Sequence, residues 1–174
     1  VINGSLYLPD ENIIKISNET KIKIDKKNKC LSFEGVGADN VNVELKAIDD
    51  ITFMEYCYFP QGTSLIFSDL YGFTIYHVSF KDGNAKETEK LNRKENDDRG
   101  FCQIRFVEIA NGCICVYEAG VLCFDNLGNV IWHNKHQRYD WMFTGIKNGF
   151  AIYESEDEGK WGYSLSNGRK INHL

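Results

Sequence analysis

Gly112-Cys113-Ile114-Cys115-Val116, then Val121-Leu122-Cys123-Phe124-Asp125-Asn126, then Asn129-Val130-Ile131-Trp132 sets the pattern of this chain. It holds a glycine, three short apolar runs and two polar breaks. Residues 4–24 lie over it without a gap: Gly4-Ser5-Leu6-Tyr7-Leu8, Ile13-Ile14-Lys15-Ile16-Ser17-Asn18 and Lys21-Ile22-Lys23-Ile24. Internal similarity of this kind identifies an architecture better than local propensity does. Further copies surround these two. Phe106-Val107-Glu108-Ile109-Ala110-Asn111-Gly112 recurs as Phe143-Thr144-Gly145-Ile146-Lys147-Asn148-Gly149. An apolar run follows each, Cys113 to Tyr117 in one and Phe150 to Tyr153 in the other. A looser copy starts at Gly62, with Leu65-Ile66-Phe67, Phe73-Thr74-Ile75-Tyr76 and an Asp82-Gly83 turn. The period is about 37–40 residues, within the range of blade-like repeats.

Asn-Gly pairs between apolar runs signal tight hairpins, because both residues tolerate the positive φ that such turns demand. The chain has them at 3–4, 111–112, 148–149 and 167–168. The units therefore read as antiparallel meanders of three or four strands. No long amphipathic helix is present. The best candidate, Ala85 to Lys94, offers only Ala85 and Leu91 as apolar residues and cannot bury a stripe, so it reads as a strand followed by a charged loop. The stretch 25–61 matches the repeat poorly. The expected fold is one all-β domain over residues 1–174, a small or incomplete β-propeller-like array, with a two-sheet β-sandwich as the alternative.

The segment Gly120-Val121-Leu122-Cys123-Phe124-Asp125-Asn126-Leu127-Gly128-Asn129-Val130-Ile131-Trp132 resembles the repeat of pyrroloquinoline-quinone-type β-propellers. That repeat has a Gly, a short apolar strand, an Asp, a break, a second Gly and an apolar strand ending in Trp. The copy at 159–171 keeps Gly159, Tyr163 and Gly168 but has Ile171 in place of the Trp. The resemblance covers about a third of the chain, far less than a whole propeller of such repeats. It implies the fold and carries no implication of quinone binding. No cofactor is expected.

Composition narrows the class. The 174 residues are 43% apolar, 26% charged and 13% aromatic, the last favouring pleated, half-buried surfaces. No run approaches the roughly 20 apolar residues that span a bilayer. The start, Val1-Ile2-Asn3-Gly4, lacks the features of a signal peptide. Cysteines 57, 102, 113, 115 and 123 sit among apolar residues and Cys30 heads a short apolar run, as reduced, buried thiols would. A bacterial, cytoplasmic protein is expected. The net charge is −5: residues 1–30 carry +2 and the remainder −7. An acidic body disfavours nucleic acid, which needs a positive surface, and favours a basic protein partner.

Residues able to carry chemistry are few. Cys113 and Cys115 are too close for a zinc knuckle, and as i and i+2 of a strand they share one face in core packing. His133 and His136 are expected as solvated loop histidines beyond a strand ending at Trp132. Neither a nucleophile elbow nor a full dinucleotide loop occurs. An enzyme whose groups converge only in space is a third class beside those below; the expectation is a protein that is not an enzyme.

Two acidic stretches stand out, Glu154-Ser155-Glu156-Asp157-Glu158 and Glu95-Asn96-Asp97-Asp98. As docking residues they nominate Glu154, Glu156, Asp157, Glu158, Asp97 and Asp98, with Tyr139, Trp141 and Trp161 as aromatic anchors nearby in sequence. In general character the chain is similar to bacterial immunity proteins. The expected function is a non-catalytic binding module that neutralises a basic partner, such as a toxin nuclease, by occluding its active site. The alternative is a propeller-type scaffold or a small-ligand or carbohydrate binder. Neither nucleic acid nor membrane is an expected partner.

Overall fold

The computed structural model describes residues 1–8, 10–35, 40–69, 74–90, 104–117, 120–136, 142–156 and 159–172. They form an all-β fold of four antiparallel sheets, none closed into a barrel. The first sheet holds β2 (Ile13–Lys15), β3 (Lys21–Asp25), β4 (Cys30–Glu34) and β5 (Val41–Glu44), in that order. A short 3-10 turn, Lys46–Asp50, leads to the second sheet, with β6 (Phe53–Phe59), β7 (Ser64–Asp69), β8 (Thr74–Ser79) and β9 (Asn84–Lys90). The N-terminal strand β1 (Ile2–Tyr7) adds to this second sheet beside β6. The third sheet is β10 (Arg105–Ile109), β11 (Gly112–Tyr117), β12 (Gly120–Phe124) and β13 (Val130–Lys135). The fourth is β14 (Met142–Lys147), β15 (Phe150–Ser155), β16 (Gly159–Ser164) and β17 (Lys170–Asn172).

The sheets follow one another with an apolar core between each consecutive pair, as the layers of a sandwich or neighbouring propeller blades pack. Ile22, Leu31 and Val43 of the first sheet meet Met54, Leu65, Phe67 and Val78 of the second. Cys57, Phe59 and Ile66 of the second meet Phe106, Cys115, Leu122 and Phe124 of the third. Ile114, Val116 and Cys123 of the third meet Ala151, Tyr153, Trp161 and Tyr163 of the fourth.

Position in this series explains the sequence pattern of each strand. In β3 only Ile22 and Ile24 are buried, because the other face of the first sheet meets water. Every residue of β11 and β12 is buried, because the third sheet has a neighbour on both faces. One-sided burial reads as alternation and two-sided burial as a continuous apolar run.

The meander repeat is therefore real, but its register along the chain differs from the overlay of 4–24 on 112–132. Residues 112–132 supply three consecutive strands of one sheet. Residues 4–24 split, β1 going to the second sheet while β2 and β3 open the first. The cause is long-range pairing: β1 lies antiparallel to β6 from Ile2 opposite Tyr58 to Tyr7 opposite Phe53. Asn3-Gly4 consequently lies inside a strand, whereas Asn148 and Gly149 take φ of 52° and 79° in the β14–β15 turn. The stretch 25–61 completes the first meander and starts the second. The charged segment after Ala85 begins as the strand β9, as expected, and no helix of the described residues is long and apolar enough to cross a membrane.

Candidate functional site

The β15–β16 hairpin places the acidic stretch nearest Trp161. Along β15 the side chains alternate: Ala151, Tyr153 and Ser155 are buried, while Phe150, Ile152 and Glu154 belong to the outer face. Glu154 stands opposite Met142 on β14 and Lys160 on β16. Its carboxylate pairs with the Lys160 ammonium at 3.4 Å, with 44% and 52% of the two side chains exposed. A pair so open to water contributes little to stability and leaves both charges available to a partner. Glu156 occupies the turn and is exposed. Asp157, Glu158, Asp97, Asp98, Tyr139 and Trp141 lie outside the described residues.

The same outer face carries an apolar centre that sequence reasoning missed. Met142 is 64% exposed. Ile152 sits in its row between Gly145 and Gly162, with Ile171 beyond. Phe150 lies opposite Lys147. Half-buried apolar side chains with charges at the edges match the anatomy of a protein interface, an apolar centre and a polar rim. Only strand pairing brings Met142 beside Glu154, so no local signal in the sequence marks it.

Beneath the hairpin the inner face is filled with aromatic rings. Trp161 is 2% exposed and stacks on Tyr153 at 4.8 Å and 11° between planes. Tyr163 meets Trp161 edge to face at 4.9 Å, and the Lys170 ammonium lies 4.3 Å from the centre of the indole. The expectation of Trp161 as a docking anchor is corrected here: its ring fills the core between the third and fourth sheets. Burial pushes the Tyr163 phenol up to about 12 and, with Tyr163 beside it, raises Tyr153 well above its ordinary range. Both stay neutral, and the Tyr153 hydroxyl donates to the Gly120 carbonyl at 3.2 Å.

The histidines are corrected in the same way. The strand β13 continues past Trp132 to Lys135, and His133 lies within it. Its Nε2 is hydrogen-bonded with the Tyr117 hydroxyl at 2.5 Å. His136 packs edge-on against both Tyr153 and Trp161 at 5.2 Å. Neither is solvated: His133 stands opposite Leu122 on the face of β13 toward the second sheet, and His136, just past the strand end, is half-buried against the rings of the fourth sheet. Cys113 and Cys115 do share one buried face, against the second sheet. The neighbouring Cys57 thiol and burial raise Cys113, and burial raises Cys115. Burial also lifts Cys123 to about 11. These thiols stay protonated at neutral pH, and a protonated thiol is neither a good nucleophile nor a metal ligand.

No family model matches this chain, and no curated protein matches it. The outer face of the fourth sheet is thus read from its geometry alone: a hydrophobic centre, an ion pair open to solvent and an acidic tip, carried on a hairpin whose inner face is fixed by stacked rings.

Proposed function

We propose that the chain is a non-catalytic, cytoplasmic protein-binding module of bacterial immunity type, which neutralises a basic partner such as a toxin nuclease by covering its active site. The observation that carries the proposal is the pair of exposed carboxylates, Glu154 and Glu156, with exposed Met142 opposite Glu154 on a hairpin anchored from below by Tyr153 and Trp161. The acidic tip stands in for substrate phosphate and draws the basic cleft of the partner toward it. Met142 and Ile152 then supply apolar contact, and the pairing of β15 with β16 over the stacked rings limits the entropy lost on docking. The chain's net charge of −5 acts in the same direction at longer range. No cofactor takes part.

The test is to sequence the genes neighbouring this chain's, express any basic toxin domain they encode and measure its inhibition. Wild-type protein is expected to abolish the domain's nuclease activity at stoichiometric amounts. Glu154→Lys with Glu156→Lys, and separately Met142→Asp, are expected to remove inhibition while leaving the circular dichroism spectrum unchanged. Absence of inhibition by the wild type, or full inhibition by both folded variants, overturns the proposal.

A further inference from the structure

A separate cleft of about 470 Å³ lies where β1 and β6 of the second sheet approach β10 of the third, lined by Asn3, Ser5, Glu55, Ile104, Arg105 and Phe106 among others. Small-molecule sites run from about 300 to 1,000 Å³, so the space suits a small ligand. The cleft exists because β1 bridges the two sheets. Val1 packs against the core between the two sheets, and the Asn3 amide donates to the Phe106 carbonyl at 2.9 Å. These contacts fix one wall of the cleft without filling it.

We propose that this cleft binds an apolar α-amino acid, with the ammonium group against Glu55, the carboxylate against Arg105 and the side chain over Ile104 and Phe106. Three features of the lining map onto three parts of such a ligand. Glu55 is half-buried, and its carboxylate accepts a hydrogen bond from the Ser5 hydroxyl at 2.5 Å. An ionised carboxylate has about four acceptor positions, so one hydroxyl leaves most of them open. Burial pushes the Glu55 pKa up, while Ser5 and the field of Arg105 pull it down. That balance marks an anion short of compensating positive charge, and an ammonium group supplies it.

Arg105 is exposed at the mouth, and neither it nor Glu55 forms an ion pair among the described residues. Its planar guanidinium matches a carboxylate in two-pronged geometry. Ile104 and Phe106 are only 3% and 5% exposed and give the cleft its apolar floor. With one fixed charge of each sign, the cleft favours a zwitterion. A simple amine leaves Arg105 unmatched, and a simple acid leaves Glu55 unmatched. None of these residues belongs to the hairpin tip, so the amino-acid site stands or falls independently of partner neutralisation.

The experiment is calorimetric titration of the full chain with L-leucine, 3-methylbutylamine, which lacks its carboxylate, and 4-methylpentanoate, which lacks its ammonium group. Saturable binding of L-leucine is expected, with each truncated analogue weaker by a factor of about ten or more. Arg105→Gln, at an exposed position, and Glu55→Gln are each expected to weaken L-leucine by a factor of about ten or more. Thermal melts establish that each variant is folded, and Arg105→Gln decides the question if Glu55→Gln does not fold. Absence of saturable heat at millimolar L-leucine, equal binding of 4-methylpentanoate, or unchanged affinity in folded Arg105→Gln overturns the assignment.

Discussion

Tyr153 and Trp161 stand directly opposite each other on β15 and β16, with rings 4.8 Å apart and 11° from parallel. This cross-strand pair joins the acidic hairpin to the core beneath it. It fixes the hairpin's twist and register, and Tyr163 and His136 close over its edges.

Truncating the indole leaves a large cavity between the third and fourth sheets. Trp161→Ala is therefore expected to cost about 3–5 kcal/mol, and Trp161→Phe less, measured by urea unfolding. Tyr153→Phe keeps the stack and loses only the bond to Gly120, for an expected cost of about 1 kcal/mol.

Gly112 and Gly83 separate steric from conformational effects. Gly112 has φ of 143°, and a Cβ there would stand 1.9 Å from the Phe124 carbonyl oxygen. Gly83 has φ of 64° with open space around it. Gly83→Ala is expected to cost about 1–2 kcal/mol, the usual penalty for a left-handed L-residue. Gly112→Ala is expected to cost clearly more, because backbone must move. Chemical denaturation of the two variants makes the comparison.

How much of this was legible in the sequence depends on the range of the interactions. The short apolar runs at residues 113–117 and 21–24 correctly announced strands, because such patterns arise within a few residues. The pairing of β1 with β6 did not show, because a strand's partner leaves no mark in its own side-chain pattern. The same limit explains the site. The acidic tip was visible as a run of like charges, but Met142 reaches it only through strand pairing, and His136 joins the aromatic bed only through sheet packing. Trp161 illustrates the converse: nearness in sequence to an acidic loop does not decide which face of the strand a ring occupies.

Asp125 organises the β12–β13 turn. Its carboxylate accepts from the backbone N–H of Leu127 and of Asn129, both at 2.8 Å, and from the Asn129 amide at 3.0 Å. Burial pushes its pKa up, but these hydrogen bonds outweigh that and hold it below the ordinary value. A carboxylate lowered on folding stabilises above its unfolded pKa, and that stability is lost as pH falls through the folded value. Asp125→Ala is expected to cost about 1 kcal/mol at neutral pH and to flatten the acid limb of the stability profile, read from urea midpoints across pH.

His77 is expected to give a pH response higher on the scale. Its Nε2 is buried with no hydrogen-bond partner among the described residues. Burial, then Lys86, lowers its pKa below the ordinary imidazole value of 6.5, against the opposing pull of Asp82 and Asp125. The unfolded chain therefore takes up a proton first as pH falls. Stability should decline from about the ordinary imidazole range down to the lowered folded value and then level off. His77→Phe should remove that decline, as thermal melts across the same window would show.

The most direct test of the central claim is the association rate between the full chain and the basic toxin domain proposed as its partner, measured by stopped flow over a range of ionic strength. If the exposed acidic tip steers the encounter, the rate constant falls steeply as salt rises, and Glu156→Lys lowers it at low salt. A rate constant that stays the same with salt and with the reversed charge at Glu156 would contradict the account.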